Sequence, residues 1–359
     1  MNFNSRQQAL RRQMERQRLS ILFVSRPANL FYLTGFRGSA GAAIFRAGDG
    51  TLFVDPRYTL QAREQAEGVE VVESKHGLLQ GAARVLSNAR ACRAGFDDAH
   101  LTVAEMRALR KGAGKRIKWV PSGGLVEELR AVKDSDEIGL IRQAGRLTAE
   151  VFGEVLHLVR PGVREADLAA EVEYRMRREG AEGTAFETII ASGPRSALPH
   201  ARASDKLLKE GEWVILDLGG ILGGYAADMT RTVFLGRPGR RARACYEAVR
   251  SAQEAALRAI REGARAQEGD ARARQALKRW RLNRYFTHST GHGVGIDIHE
   301  RPRLGKGEKT ILKAGNVVTA EPGVYLKGLG GVRIEDTVLV GMGEPEILTP
   351  ASKDGWCVE

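Results

Sequence analysis

Residues 216–232 read LDLGGILGGYAADMTRT, and this stretch constrains the fold more than any other. Two acids, Asp217 and Asp228, lie on apolar, strand-like arms with two Gly-Gly pairs between them. Glycines between apolar runs signal a β-hairpin. With Leu222 and Gly223 as the turn residues, Ile221 pairs with Gly224 and Asp217 stands opposite Asp228. Directly opposed residues share one face, with Cβ atoms about 4.5–5.5 Å apart. Two carboxylates that close need a shared proton or a cation.

A second pair of acids follows the same design. Glu321 lies in VVTAEPGVY and Glu335 in GGVRIEDTVLV, with LKGLGG between them, so another strand–turn–strand carries one acid on each arm. His292, in THSTGHGVGIDIHE, adds an imidazole. Four carboxylates and one imidazole make a hard, oxygen-rich donor set. It suits two adjacent divalent ions of the Mn, Co, Fe or Zn type better than a tetrahedral structural zinc. A single acid on a strand is ordinarily a surface residue; the expectation of a metal rests on the five together.

The rest of the chain narrows the context. A length of 359 residues allows two domains. No apolar run approaches the roughly 18 residues of a membrane span. The start, MNFNSRQQALRRQMERQRLS, is polar and Arg-rich, which predicts a first helix rather than a secretory signal. Cys92, Cys245 and Cys357 are scattered and odd in number, so reduced thiols in a cytoplasmic protein are expected. The N-terminal part alternates strand and helix patterns, an α/β arrangement, and GAAIFRAGDGTLFVD reads as a hairpin. Around Pro121 and Gly123-Gly124 the pattern changes, so the domains are placed at 1–128 and 129–359. The second groups its helices and strands in runs, as α+β domains do.

The net charge of +12 is concentrated: residues 237–284 hold 14 Lys/Arg against 5 Asp/Glu. Tyr246, Val249, Ala256 and Ile260 recur at helical spacing there, so the arginines line the outer face of an amphipathic helix. That face is either merely solvated or a basic docking surface for RNA or an acidic partner. No aromatic-interleaved motif accompanies it, and nucleic acid is not the expected partner. A serine hydrolase lacks its G-x-S-x-G, and GHGVG does not meet the dinucleotide spacing.

Taken with their surroundings, the five acid and imidazole positions resemble the dinuclear metallopeptidases of the pita-bread fold, specifically the Xaa-Pro aminopeptidase and prolidase branch. The resemblance rests on DMTRT after the second aspartate, GHGVG around His292, and EPGVY and GVRIED around the glutamates. NLFYLTGFRGSAG and LFVDPRYTLQA extend it to the N-terminal half. It implies an α+β chain: a creatinase-type α/β N-terminal domain, often shaping a substrate entrance across a homodimer, followed by a pita-bread catalytic domain. It further implies that Asp217, Asp228, His292, Glu321 and Glu335 ligate two divalent ions, manganese foremost and Co, Zn or Fe otherwise. A hydroxide between the ions would attack the carbonyl before proline.

By the same resemblance Glu321 manages the proton of the attacking water, and His200 and His299 are catalytic donors. His288, Tyr325 and Arg333 are substrate-binding; a salt bridge to Glu335 or Asp336 is the structural alternative for Arg333. The expected substrates are peptides with proline in second position, cleaved as by an Xaa-Pro aminopeptidase. The alternative is a prolidase restricted to dipeptides. A more remote one is a non-enzymatic pita-bread binding protein using its Arg-rich face, and the creatinase branch is disfavoured because the whole ligand set stands.

Overall fold

The computed structural model describes residues 1–358. The chain forms two compact units that divide between Arg130 and Ala131.

The first unit begins with helix α1 (Phe3–Arg16), whose first turn is capped by the Asn2 side chain accepting from the Ser5 N–H. Strands β1 (Ile21–Val24), β2 (Ala42–Arg46), β3 (Gly50–Val54), β4 (Glu70–Glu73), β5 (Cys92–Phe96) and β6 (Ile117–Pro121) form one mixed sheet. Its order is β4-β3-β2-β1-β5-β6. The β2–β3 hairpin turns at the Gly-Asp-Gly segment, with Phe45 opposite Gly50. Helices α2 (Pro27–Thr34), α3 (Thr59–Gln65), α4 (Leu78–Ser87), α5 (Val103–Ala113) and α6 (Leu125–Arg130) join the strands. Phe23, Ile44 and Phe53 of the sheet bury with Leu86 of α4 and Leu109 of α5. Alternating elements around one apolar layer make this an α/β unit.

The second unit opens with α7 (Ser135–Leu156), fixed by a capping box in which Asp134 and Glu137 satisfy each other's backbone N–H groups. After α8 (Glu165–Arg178) come strands β7 (Gly183–Thr184), β8 (Ile189–Ser192), β9 (Trp213–Leu218), β10 (Gly220–Leu222), β11 (Tyr225–Ala226) and β12 (Met229–Leu235). Helices α9 (Arg240–Leu257) and α10 (Ala266–Arg279) follow. The remainder is strands: β13 (Gly291–Gly293), β14 (Glu300–Leu304), β15 (Val317–Ala320), β16 (Gly323–Leu326), β17 (Gly330–Arg333), β18 (Asp336–Leu339), β19 (Glu346–Ile347) and β20 (Cys357–Val358).

The period of two along β9 explains how a buried strand carries an acid. Val214, Leu216 and Leu218 pack with Val151 and Val155 of α7 and Leu168 and Val172 of α8. Trp213, of opposite parity, joins a separate cluster with Tyr246 and Val249 of α9, Leu277 of α10, and Val324 and Val332. Asp217 shares the parity of Trp213 and so points away from the α7–α8 layer.

The first hairpin differs in register from the sequence expectation. Leu222 pairs with Tyr225 and Ile221 with Ala226, so Gly223 and Gly224 are the turn residues. Both have positive φ, +59° and +81°, the combination that a type I′ turn demands and glycine meets without strain. Asp217 is consequently opposite Thr230, not Asp228. A slip of one residue would have turned the acid to the other face; this slip of two leaves Asp217 and Asp228 as diagonal neighbours on the same face.

The second acid pair follows its own rule. β15 pairs with β18, ending at Ala320 opposite Asp336, and β16 pairs with β17, starting at Gly323 opposite Arg333. Both ladders lie on one register, so Glu321 falls opposite Glu335 where the ladder is interrupted. At that interruption the two glutamates turn their backbone N–H groups elsewhere: Glu321 to the Thr290 carbonyl at 2.8 Å and Glu335 to the Thr230 carbonyl at 3.0 Å. Pro322 lacks an N–H and fits such a break.

Candidate metal centre

Those two bonds assemble the site. The Glu335 bond ties the second hairpin to β12, two residues past Asp228. The Glu321 bond ties it to the segment leading into His292. β13 holds His292 by pairing Gly293 with Val318, and the His292 N–H donates to Thr319 Oγ1 at 3.1 Å. A Cβ at Gly291 would stand 2.0 Å from the Thr319 carbonyl oxygen, so only glycine allows the approach that sets the histidine.

Asp217, Asp228, His292, Glu321 and Glu335 all line one cavity of about 740 Å³. Ligand atoms of Asp228, His292 and Glu335 lie within 4.8 Å of one another. His292 Nε2 is 3.5 Å from Asp228 Oδ2 and 3.4 Å from Glu321 Oε1. Asp217 is held by Arg333, whose Nη2 donates to its Oδ2. Arg333 therefore does not pair with Glu335 or Asp336. Glu335 Oε2 is taken by the Thr230 hydroxyl at 2.6 Å, and Asp336 faces Arg231 and Lys353 on the other side of its strand.

Charge is left uncompensated here. Burial, then repulsion from Glu335, Asp217 and Glu321, raises the Asp228 carboxyl well above its ordinary range, against the pull of Arg333. Burial with Glu321 and Asp217 does the same to Glu335. Glu321 is pushed up to about 7, chiefly by burial. Burial also lowers His292. Asp217 Oδ1 and Glu335 Oε1 are buried with no hydrogen-bond partner. Orphaned oxygens of that kind are costly unless something else meets them. Hard oxygen donors, unmet lone pairs and crowded negative charge fit divalent cations.

Around the acids the remaining expected residues divide into two groups. His288, Tyr325 and Arg333 form one chain. Arg333 Nη1 donates to the Tyr325 hydroxyl at 3.0 Å, and that hydroxyl lies 2.8 Å from His288 Nε2. His288 Nδ1 is 2.8 Å from the Ser289 carbonyl, which can only accept. Burial holds His288 down to about 4 and Tyr325 up to about 12. The imidazole is thus neutral, donates through Nδ1, and accepts from the tyrosine at Nε2. His200 and His299 form the other group, more exposed and on the cavity wall. The His299 ring stands 4.3 Å from that of His292, and burial followed by its histidine neighbours lowers it.

Several cavity residues carried no signal that sequence reasoning used. Phe186, Ile189 and Ile298 provide apolar wall, and Glu187 and Arg202 pair at 3.1 Å. Thr230 and Thr319, which hold Glu335 and Glu321, were visible as DMTRT and VVTAEP but not as partners.

Comparison with known proteins places this architecture. Residues 139–341 match metallopeptidase family M24, and residues 6–132 match the Creatinase/Prolidase N-terminal domain. The chain belongs to this metallopeptidase family: a creatinase-type N-terminal domain precedes a pita-bread catalytic domain, and the protein is a metallo-exopeptidase. Among its relatives, the Xaa-Pro dipeptidase of Pyrococcus furiosus is 36% identical over 95% of this chain and 96% of that protein. The structure of an Xaa-Pro dipeptidase from Bacillus anthracis superposes with a TM-score of 0.95, at 33% identity, covering 99% of this chain and all of that one. An X-Pro aminopeptidase from Thermotoga maritima superposes with a TM-score of 0.88 at 33% identity, covering 97% of this chain and all of that one.

Proposed function

We propose that the protein is an Xaa-Pro dipeptidase that hydrolyses the bond between an N-terminal residue and a C-terminal proline. The carrying observation is a buried cluster of four carboxylates with raised or unmet charge, opening into a cavity with an apolar wall. The relatives named as dipeptidases favour this over the aminopeptidase reading, which becomes the alternative.

Asp217, Asp228, His292, Glu321 and Glu335 would hold two divalent ions, manganese foremost. Such ions, when bound, acidify water toward neutral pH and polarise a carbonyl. The residues do the rest. Glu321 takes a proton from the attacking water as its oxygen bonds the scissile carbonyl carbon, and returns it to the leaving proline nitrogen as the C–N bond breaks. His200 and His299 donate to the carbonyl oxygen as negative charge develops there. Proline offers no N–H for recognition, so selection falls to shape. Phe186, Ile189 and Ile298 suit the pyrrolidine ring, while the Arg333–Tyr325–His288 chain keeps its polar groups fixed.

The test is an assay of the manganese-loaded protein on an Xaa-Pro dipeptide, an Xaa-Pro-Yaa tripeptide and a longer peptide. The dipeptide is expected to be cleaved with kcat/KM at least about 100-fold above the others, a discrimination of roughly 2.7 kcal/mol. Comparable cleavage of all three would restore the aminopeptidase reading. No cleavage of any, with metal bound, would sink the proline specificity.

A further inference from the structure

The loop that carries His200 is closed by a residue outside the cavity. Glu165, the first residue of α8, is fully buried. Its Oε1 accepts from the N–H and the hydroxyl of Ser192, both at 2.8 Å. Its Oε2 accepts from the Ser204 hydroxyl at 2.7 Å, the Ser204 N–H at 3.2 Å and Arg195 Nε at 2.9 Å. Ser192 ends β8, and Ser204 lies on the far side of the loop. One carboxylate therefore grips both ends of residues 193–203. The backbone reinforces the neck, with Glu165 N–H donating to the Lys206 carbonyl and Ala166 N–H to the Ser204 carbonyl, each at 3.0 Å.

The tip of this loop stands over the acids. Pro199, His200, Ala201 and Arg202 line the cavity, and Arg333 Nη1 donates to the Pro199 carbonyl at 3.1 Å. His200 itself is exposed, so the path of its backbone, rather than packing of its ring, sets where the imidazole stands. That path is anchored at the tip through Arg333 and at the neck through Glu165. A buried carboxylate with five donors, one of them charged, is a strong local anchor. The helix start of α8 does not by itself call for this burial, since an acid in a helix's first turn is already favoured when solvent-exposed.

We infer that Glu165 is a positioning residue for His200: it fixes the neck of the 193–203 loop and so holds the imidazole where the scissile carbonyl oxygen is bound. The inference rests on the proposed role of His200 as a donor to that oxygen. A shift of about 1 Å at such a group is enough to cost roughly 100-fold in rate.

A double-mutant cycle with His200→Ala tests it, using the metal-loaded enzyme and an Xaa-Pro dipeptide. Glu165→Ala is expected to lower kcat about 30–100-fold with little change in KM and none in metal content. In the His200→Ala background the same change is expected to cost less than about threefold, because the two act through one group. Ser204→Ala, which removes a single hydroxyl from the neck, is the milder variant should Glu165→Ala fail to fold. It is expected to lower kcat about 3–10-fold, with the same coupling to His200. Equal losses in both backgrounds would overturn the positioning role while leaving the function of His200 intact. Full activity of the His200→Ala enzyme would overturn the donor role itself, and the inference with it.

Discussion

Glu335 and Asp336 are consecutive acids where the break in the ladder meets β18, both buried, and their surroundings could hardly differ more. Asp336 meets Arg231 at 2.7 Å, Lys353 at 2.5 Å and Gln253 at 2.7 Å. Burial alone would raise its carboxyl, but Arg231 and Lys353 overcome this and bring it below its ordinary value. Glu335 receives one hydroxyl, from Thr230, keeps its other oxygen unmet, and is raised. The chain has the means to neutralise a buried acid and applies them one residue away. The side facing Asp336 is finished as structure, joining β18 to β12, α9 and the C-terminal segment. The side facing Glu335 leaves an oxygen unmet and a carboxyl raised, which fits the cation site proposed above.

The sharpest way to break this contrast is to neutralise each acid in turn. Glu335→Gln is expected to lower hydrolysis by more than about 1,000-fold, beyond the 10–100-fold typical of losing an outer partner of a metal ligand. Metal content by elemental analysis should fall with it, while the metal-free protein stays as stable as before or gains. Asp336→Asn is expected to do the reverse. It leaves Arg231 and Lys353 facing an amide, and should cost about 3–5 kcal/mol in urea unfolding. A stable Asp336→Asn protein or an active Glu335→Gln enzyme would void the distinction.

A pH series sharpens it at intermediate size. In metal-free protein Asp228, Glu321 and Glu335 hold their protons to higher pH than in the unfolded chain. At these groups the folded state then binds more protons, so their contribution falls as pH rises from the ordinary glutamate value of 4.5 through about 7, where Glu321 ionises; the lowered His288, His292 and His299 work the other way up to their ordinary value of 6.5 and little beyond it. Asp336 has the opposite sign: its contribution is present above its unfolded value of 3.8 and is lost as pH falls through its lower folded value. Above the ordinary histidine value the carboxylates dominate, so urea midpoints with chelator at pH 6.5, 7 and 7.5 should decline, and divalent ion should restore more at pH 7.5 than at pH 6.5. A rise across that series in chelated protein would contradict the assignment of charge.

The smallest effect belongs to the polar chain beside the acids. Tyr325→Phe removes the hydroxyl between Arg333 and His288. The loss of one net hydrogen bond of about 1 kcal/mol predicts a two- to tenfold fall in kcat/KM with metal content unchanged. A change in metal content would instead assign Tyr325 to the support of Asp217 through Arg333.

Much of this centre could be read along the chain, and the parts that could not share a cause. The acids were legible because each sits in a local pattern, apolar run, glycine turn, apolar run, whose period identifies a strand face. The turn was misplaced by one residue because Leu222-Gly223 and Gly223-Gly224 both look like hairpin turns locally. Only the joint pairing of β9–β12 and β10–β11 chooses between them. The sequence offers Arg333 as a substrate-binding residue, with a salt bridge to neighbouring Glu335 or Asp336 as the alternative; in three dimensions it spans to Asp217, a contact between two different hairpins. Glu165 gave no signal at all, since an acid at the start of a helix is ordinary.

Residue order alone sets which residue types stand where locally: four acids and an imidazole on or beside strands next to glycines, and apolar stripes on the opposite sides. Those follow from short-range periodicity, which a chain carries in its own order. The tertiary structure alone decided that the two hairpins meet at Thr230 and Glu335, that Asp336 is neutralised while Glu335 is not, and that Glu165 closes the His200 loop. Each depends on a contact between segments far apart in the chain. Such contacts arise from the packing of whole elements, not from the local pattern that shapes each one.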